Sequence, residues 1–385
     1  MLSKVGISNF RSLPDYTEID FNLSEYHHWE VEDHGRLSRP FYVTFGAIKG
    51  GNATGKTSLL EAVSFLKNLV LQDAWDKRLI NLGRWYKENR NWFRKKGEPI
   101  TISVEFGKEG CFCNYRVAIA DCIREEILNV DGKDMFVRKY GQVDFGEDAG
   151  VSDAVKGVFS RNLEGNKPVL VLGLCGVLHI IDNKRPRAAY EWFRDDLHIF
   201  RGGMGPDSLI GFCAEYGEAL PYIREKLHLL FPEIQDVAVV TESLSKWLGA
   251  RDDEERAREI ADCKICSGGV RSLRFTLGRK DGKTVRCGIS ALSDGERKLA
   301  CMLPHMYLSR QSGKTVFVDD FDTYLGPFTA KILINSFDKA DGQLVIAVFD
   351  LTSIVSYGCL DEVWTLANED GRRFVLPFNG RVKDD

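Results

Sequence analysis

Apolar and polar positions alternate at the start of the chain. Val5 and Ile7 are separated by small or polar residues, Asn9-Phe10-Arg11-Ser12 makes a bend, and Tyr16 to Phe21 alternates again. This pattern predicts two strands joined by a turn. Phe41 to Ile48 is a β-branched and aromatic run, as a buried strand should be. From Ser58 to Val70 the period changes, and Leu59, Leu60, Val63, Leu66, Leu69 and Val70 fall at helical spacing. Pro99 to Phe106 and Tyr115 to Ala120 alternate across Gly107-Lys108-Glu109-Gly110, a hairpin signal. Ile127 to Val130 and Met135 to Val137 continue that sheet around Asp131-Gly132. Residues 150–232 read as mainly helical, with glycines at Arg201 to Gly205. Asp236 to Val240 returns to strand, Asp252 to Asp262 reads as a charged exposed helix, and Leu273 to Leu277 pairs with Val285 to Ile289 around Asp281-Gly282. No internal repeat, low-complexity tract or sustained heptad appears, so no long coiled-coil arm is expected.

Between the strand at Phe41–Ile48 and the helix at Ser58–Val70 stands Gly50-Gly51-Asn52-Ala53-Thr54-Gly55-Lys56-Thr57. It fits G-x-x-x-x-G-K-[ST], and strand, glycine loop and helix are the context that gives this motif meaning. Glycines let backbone N–H groups turn toward phosphate oxygens, and the helix N-terminus adds partial positive charge. Lys56 is expected to neutralise the β- and γ-phosphates, and Thr57 to coordinate Mg²⁺, with Ser58 completing the loop.

Composition changes this picture little. The 385 residues carry a net charge of −4, so contact with nucleic acid would need a local basic patch. One stretch qualifies. From Trp75 to Lys96, Trp75, Trp85, Tyr86, Trp92 and Phe93 interleave with Lys77, Arg78, Arg84, Lys87, Arg90, Arg94, Lys95 and Lys96. Such a stretch suits nucleic acid or an acidic partner, or else a solvated amphipathic helix whose aromatics pack on the core. The run Pro168 to Ile181 is too short to span a bilayer and reads as a buried element, so no membrane contact is expected. The N-terminus lacks a signal-peptide layout, and the ten cysteines show no secreted framework; reduced thiols in a cytoplasmic protein are expected. Cys263-Lys264-Ile265-Cys266 lacks the second pair a structural zinc site needs, and His27, His28 and His34 read as a solvated loop.

Two later segments bear on the phosphate loop. Thr315 to Val318 is a β-prone run closed by Asp319, the Walker B pattern of a buried strand with a carboxylate aimed at Mg²⁺. Leu292-Ser293-Asp294-Gly295-Glu296-Arg297 precedes an apolar helix. It is either an anion site, with Ser293 donating and Gly295 permitting close approach, or a plain helix cap.

Leu292 to Arg297 resembles the signature motif of ABC-type ATPases. The whole chain resembles the SMC/RecF-like branch, and within it the compact ATPases of prokaryotic abortive-infection and other anti-phage systems, alongside overcoming-lysogenisation-defect and Septu-type relatives. The resemblance rests on Asn9 to Ser12, Gly51 to Thr57, Glu126-Ile127-Leu128 with Phe136-Val137-Arg138, and Asp361 to Trp364 with Asp370-Gly371. It implies an α/β P-loop NTPase of ABC head type, with an N-terminal antiparallel β lobe and a helical lobe. The expected organisation is a single head over residues 1–385. Residues 1–149 would form the N-terminal lobe with the P-loop and a basic helical insert at 71–98. Residues 150–235 would form the helical lobe, and 236–385 the C-terminal lobe with the signature and Walker B.

The resemblance implies two heads closing around two ATP molecules with Mg²⁺. Gly50, Gly51, Asn52, Ala53, Thr54, Gly55, Lys56, Thr57, Ser58 and Arg11 would hold the nucleotide, Thr57 and Asp319 the metal. Ser293, Gly295 and Glu296 would contact ATP held by the other copy. It also implies control of a separate effector, expected to be a nuclease; the alternatives are a DNA-repair ATPase that clamps DNA, or a non-hydrolysing ATP-dependent scaffold. Three positions depart from the family pattern. Asp320 stands where a catalytic Glu is usual, Gly326 where a His is usual, and Phe349 where the switch His is expected. Asp320 and Lys56 are therefore the expected catalytic pair, Asp322 is an alternative carboxylate, and slow hydrolysis is expected because Asp reaches less far than Glu. A GTPase is disfavoured, since Asn183-Lys184-Arg185-Pro186 has Pro where the base-reading Asp belongs.

Overall fold

A computed structural model of the chain describes residues 1–22, 42–72, 79–163, 168–178, 184–201, 206–250, 254, 260–335, 341–349, 362–369 and 372–377. His27, His28, His34, Trp75, Lys77, Arg78, Asn183, Asp361, Asp370 and Gly371, and most of Asp252–Asp262, lie outside the described residues.

The strands in chain order are β1 (Leu2–Ser8), β2 (Thr17–Asp20), β3 (Phe45–Lys49), β4 (Ile100–Lys108), β5 (Cys111–Ile119), β6 (Ile123–Val130), β7 (Lys133–Lys139), β8 (Gln142–Phe145), β9 (Leu197–Phe200), β10 (Ile234–Glu242), β11 (Cys263–Cys266), β12 (Gly269–Gly278), β13 (Thr284–Cys287), β14 (Thr315–Val318), β15 (Gln343–Val348), β16 (Glu362–Glu369) and β17 (Arg372–Pro377). They form three sheets. A seven-stranded antiparallel sheet runs β2-β1-β4-β5-β6-β7-β8. A six-stranded sheet runs β17-β16-β3-β15-β14-β9, parallel except for the β16–β17 pair. A third sheet, β10-β12-β11 with β13 on β12, is antiparallel.

The six-stranded sheet is covered on both faces, which is why β14 and β15 read as continuous apolar runs. Alternate residues serve different cores. Ile48, Phe317, Val345 and Ala347 join the antiparallel sheet and the Lys56–Val70 helix. Phe45, Ala47, Val316, Val318, Leu344, Ile346 and Val348 join the Asp294–Leu308 helix and the third sheet. Gln343 stitches the first two sheets together: its amide donates to the carbonyls of Leu2 (3.1 Å) and Val43 (3.0 Å) and accepts from the Leu2 N–H (3.0 Å).

Some elements differ from the sequence pattern. The Phe41–Ile48 run becomes a strand only from Phe45, and Tyr42 makes an isolated bridge to Asn22. The phosphate-loop helix starts at Lys56, two residues before the periodic stretch, because the glycine loop feeds straight into it. The stretch read as helical at 150–232 contributes β9, four residues long and directly after the helical turn Trp192–Asp196. Cys263 and Cys266 lie on β11, an unforeseen strand, where the Cys266 thiol donates to the Gly269 carbonyl at 3.2 Å. No group of three or more His, Cys, Asp or Glu side chains placed to hold a metal occurs among the described residues, and no described helix is long and apolar enough to cross a membrane.

Candidate nucleotide site

The carboxyl ends of β3, β14 and β15 lie side by side in the parallel sheet, the position where α/β sheets form ligand crevices. The loop after β3 is shaped by its glycines. A Cβ on Gly50 would come within 2.4 Å of Thr54 Oγ1 and 2.8 Å of the Leu366 carbonyl. Gly55 has φ of +117°, and a Cβ there would strike Leu13 Cδ2 at 2.6 Å. Only glycine meets both conditions at position 55. The N-terminal bend is thus seated against the loop, and Ser12 Oγ lies 2.8 Å from Ser58 Oγ. Gly51, Asn52 and Ala53 are exposed, and Thr54 Oγ1 donates to the Gly51 carbonyl at 2.9 Å.

Lys56 curls back over the loop. Its ammonium donates to the carbonyls of Gly50 (2.6 Å) and Gly51 (3.1 Å). Burial lowers its pKa from the usual lysine value, while Asp320, Asp319 and Asp322 act in the opposite direction. Thr57 Oγ1 donates to Asp319 Oδ1 at 3.4 Å, across 262 residues of sequence. Asp319 is 3% exposed; its N–H donates to the Phe200 carbonyl (2.8 Å), and its Oδ1 also accepts from the Asp320 N–H (3.0 Å). Burial raises its carboxyl pKa above the ordinary Asp range, and the neighbouring Asp320 adds to the rise. A hydroxyl and a carboxylate are hard oxygen donors, the set Mg²⁺ takes. With the glycine loop and Lys56 beside them, these residues fit a nucleotide–Mg²⁺ pair.

Arg11 sits next to this loop with φ of +44°. Its Nε donates to Asn89 Oδ1 at 2.7 Å, and its Nη1 pairs with Glu61 of the phosphate-loop helix. The other oxygen of Glu61 takes Arg201, the residue that follows β9.

The Ser293–Glu296 turn is a capping box. Glu296 Oε2 accepts from the Ser293 N–H (2.7 Å) and Oγ (2.6 Å), while Ser293 Oγ accepts from the Glu296 N–H (3.4 Å). A Cβ on Gly295 would lie 2.9 Å from the Tyr324 carbonyl, so this glycine lets the signature turn approach the loop after β14 in the same chain. These residues are not hydrogen-bonded to the phosphate loop of their own chain. Lys298, one turn on, is buried under the loop after β14 and donates to the carbonyls of Asp320, Phe321 (3.4 Å) and Thr323. Burial pushes its pKa down to about 8.

Asp320 has φ of +49°, a left-handed conformation that Asp adopts more readily than Glu. Asp322 Oδ2 accepts from the Phe349 N–H at 2.9 Å, which fixes the turn after β15 to the turn after β14. The Phe349 ring is half-exposed, and Gly326 is exposed just before the Pro327–Asn335 helix.

The basic and aromatic stretch divides in two. Its helix, Leu82–Asn89, stacks Trp85 on Phe65 at 3.6 Å between ring centroids, against the core. Trp92 and Phe93 are exposed, with Arg90 over the Trp92 ring. Arg94 is bound to Asp15 and the Pro14 carbonyl.

Three residues at the site were missed from sequence. Lys298 reads as part of an apolar helix. Glu61 carries a signal, since it stands four residues after Thr57 and shares its helix face. Arg201 follows a strand that was read as helix, so nothing placed it near Asp319.

No protein-family model and no curated protein sequence matches the chain. Solved structures do. An SMC head bound to the C-terminal winged-helix domain of ScpA superposes with a TM-score of 0.52 at 13% identity, covering 98% of this chain and 97% of that one. The SMC head domain from Thermotoga maritima (TM-score 0.44, 11% identity, 98% and 99% covered) and RecF with bound ATPγS (TM-score 0.44, 12% identity, 98% and 98% covered) are also similar. The fold is that of an ABC-type P-loop ATPase head.

Proposed function

We propose that the chain is an ATP-binding switch that pairs with a second copy around ATP, hydrolyses it slowly, and thereby controls a separate effector. The observation that carries the nucleotide reading is the meeting of Thr57 and Asp319, 262 residues apart, beside Lys56. ATP and Mg²⁺, when bound, supply the reactive γ-phosphate and the charge that neutralises it. Lys56, the loop N–H groups and the start of the Lys56–Val70 helix bind and orient the phosphates. Thr57 and Asp319 would hold the metal. Asp320 would accept a proton from water, through a carboxylate one methylene shorter than Glu. Phe349 offers no imidazole to assist it, and Gly326 no side chain. These substitutions support slow turnover and a long-lived paired state.

The effector reading rests on the resemblance to compact anti-phage ATPases, which points to a cytoplasmic partner, expected to be a nuclease. A DNA-clamping role is the second reading, supported by the exposed Trp92 and Phe93 beside Arg90.

Single-turnover hydrolysis, with light scattering to follow pairing, tests the switch. Asp320→Glu is expected to speed hydrolysis and shorten the life of the pair, and Asp320→Ala to leave pairing intact. If the unaltered protein turns over at roughly 1–10³ s⁻¹, typical of enzymes, and Asp320→Ala abolishes that rate, the slow-switch reading is wrong. Co-purification from the native operon tests the effector.

A further inference from the structure

We propose that Arg201 is a second cation of the nucleotide site, held in reserve by Glu61 until a γ-phosphate competes for it. This rests on the ATP reading above and deepens it.

The topology carries the argument first. β9 lies beside β14 in parallel register, with Phe200 opposite Val318. The residues that leave these strands, Arg201 and Asp319, therefore emerge together at the carboxyl edge of the sheet. The bond from the Asp319 N–H to the Phe200 carbonyl, at 2.8 Å, fixes that juxtaposition. Glu61 stands one turn after Thr57 on the phosphate-loop helix, so the two side chains project from one face. Thr57 reaches Asp319, and Glu61 reaches Arg201.

Charge carries the rest. One carboxylate holds two guanidiniums, Arg11 on one oxygen and Arg201 on the other. The cluster keeps a net positive charge, and the two arginines repel each other. Exposure is uneven: the Glu61 side chain is 13% exposed, those of Arg201 and Arg11 37% and 44%. The anion is covered and the cations are open to a ligand. A guanidinium matches phosphate oxygens at least as well as a carboxylate, through paired N–H donors. A triphosphate arriving at the loop would draw Arg201 from Glu61, and a diphosphate would offer less. Arg201 would then report the γ-phosphate from within its own chain, independently of the signature of a second copy.

Calorimetry with ATP and ADP on the full chain and on Arg201→Gln, Arg201→Lys and Glu61→Gln tests this, with thermal melts to check folding. Arg201→Gln is expected to weaken ATP by about 10–100-fold, the range of one charge-assisted hydrogen bond, and ADP by under about 3-fold on the same scale. Arg201→Lys should recover part of the loss. Glu61→Gln should tighten ATP several-fold at low salt, a gain that fades as salt screens it. Equal losses for ATP and ADP in Arg201→Gln, or weaker ATP binding in Glu61→Gln, overturn the proposal and leave a structural clamp. If Arg201→Gln does not fold, the direction of the Glu61→Gln effect decides alone. Absence of ATP binding by the unaltered chain would instead refute the nucleotide reading on which the proposal stands.

Discussion

Two turns in this molecule lead into 15-residue helices, and both carry the glycine and hydroxyl residues that suit an anion. At the phosphate loop the helix start is left open. Gly55 provides no side-chain cap, and the first turn holds no acidic residue. At the signature turn the helix start is already satisfied. Ser293 and Glu296 form a reciprocal cap, and Asp294 and Glu296 both lie in the first turn. Since a helix N-terminus carries partial positive charge, two carboxylates there offset it. The expectation that Ser293-Asp294-Gly295-Glu296 is a ready anion site must be qualified: within one chain the turn serves as a cap. The start of the Lys56–Val70 helix has no side-chain cap to give up, whereas the signature turn would have to release an internal bond to take a phosphate. The first half-site would bind and the second would switch.

The largest effect that bears on this contrast is at Lys56. Lys56→Ala removes the one loop side chain that is both cationic and held over the Gly50 and Gly51 carbonyls. ATP affinity should fall by about 100-fold or more, as for loss of a charged hydrogen-bonding group together with its Coulomb attraction. Undiminished affinity by calorimetry would overturn the phosphate-loop assignment.

Next come Thr57→Ala and Asp319→Ala. Either should remove most of the Mg²⁺ enhancement of ATP affinity, by roughly 10-fold or more, while leaving metal-free binding nearly unchanged. The measurement is a nucleotide titration with and without Mg²⁺. A variant that keeps the full enhancement is not a metal ligand.

Lys298 links the two half-sites, because it lies on the signature helix and binds the loop that follows Asp319. Its pKa is about 8 in the fold against the ordinary 10.5. Below about pH 8 the lysine is charged in both folded and unfolded chains, and the burial cost is paid in full. Between about 8 and 10.5 the unfolded chain holds a proton that the folded chain has released, so this group's contribution to stability rises with pH. The slope is at most about 1.4 kcal/mol per pH unit. Urea unfolding at pH 7.5 and 9.5 should show the gain in the unaltered chain relative to Lys298→Met. Parallel pH dependence in the two would place the low pKa elsewhere.

Much of the first half-site was legible in the sequence because its parts are local and chemically distinctive: a glycine loop between a strand and a helix, and a buried strand closed by Asp319. The apolar periods also located most strands of the antiparallel sheet. What stayed hidden depends on tertiary placement. Leu197–Phe200 is four residues with no lasting period, and becomes a strand because β14 offers it an edge. Arg201 was invisible as a site residue for that reason. Lys298 was hidden by the opposite error, since apolar neighbours made its helix read as plain core. Trp85 and Trp92 look alike in sequence, yet one stacks on Phe65 and the other faces solvent. The left-handed turn at Asp320 gives a backbone reason for Asp in place of Glu, which no residue pattern could supply.

The smallest expected effect lies in the signature cap, and it separates the two roles of Ser293. Ser293→Ala removes the hydroxyl that accepts from the Glu296 N–H and donates to its carboxylate. Loss of an N-cap of this kind costs about 1 kcal/mol. Glu296→Gln keeps the shape of the reciprocal bond and removes one first-turn charge, so it should cost less and make the helix start more receptive to phosphate. If the signature acts on ATP held by a second copy, Glu296→Gln should favour ATP-driven pairing slightly. Ser293→Arg should block pairing by bulk while leaving ATP binding in the single chain nearly intact. If the turn is only a cap, both variants should follow their melting temperatures and leave pairing alone. Light scattering with ATP, set beside thermal melts of the same three variants, distinguishes these outcomes. Equal loss of ATP binding and pairing in Ser293→Arg would show the signature acting within its own chain, and the contrast between an open and a latched helix start would then describe one site instead of two.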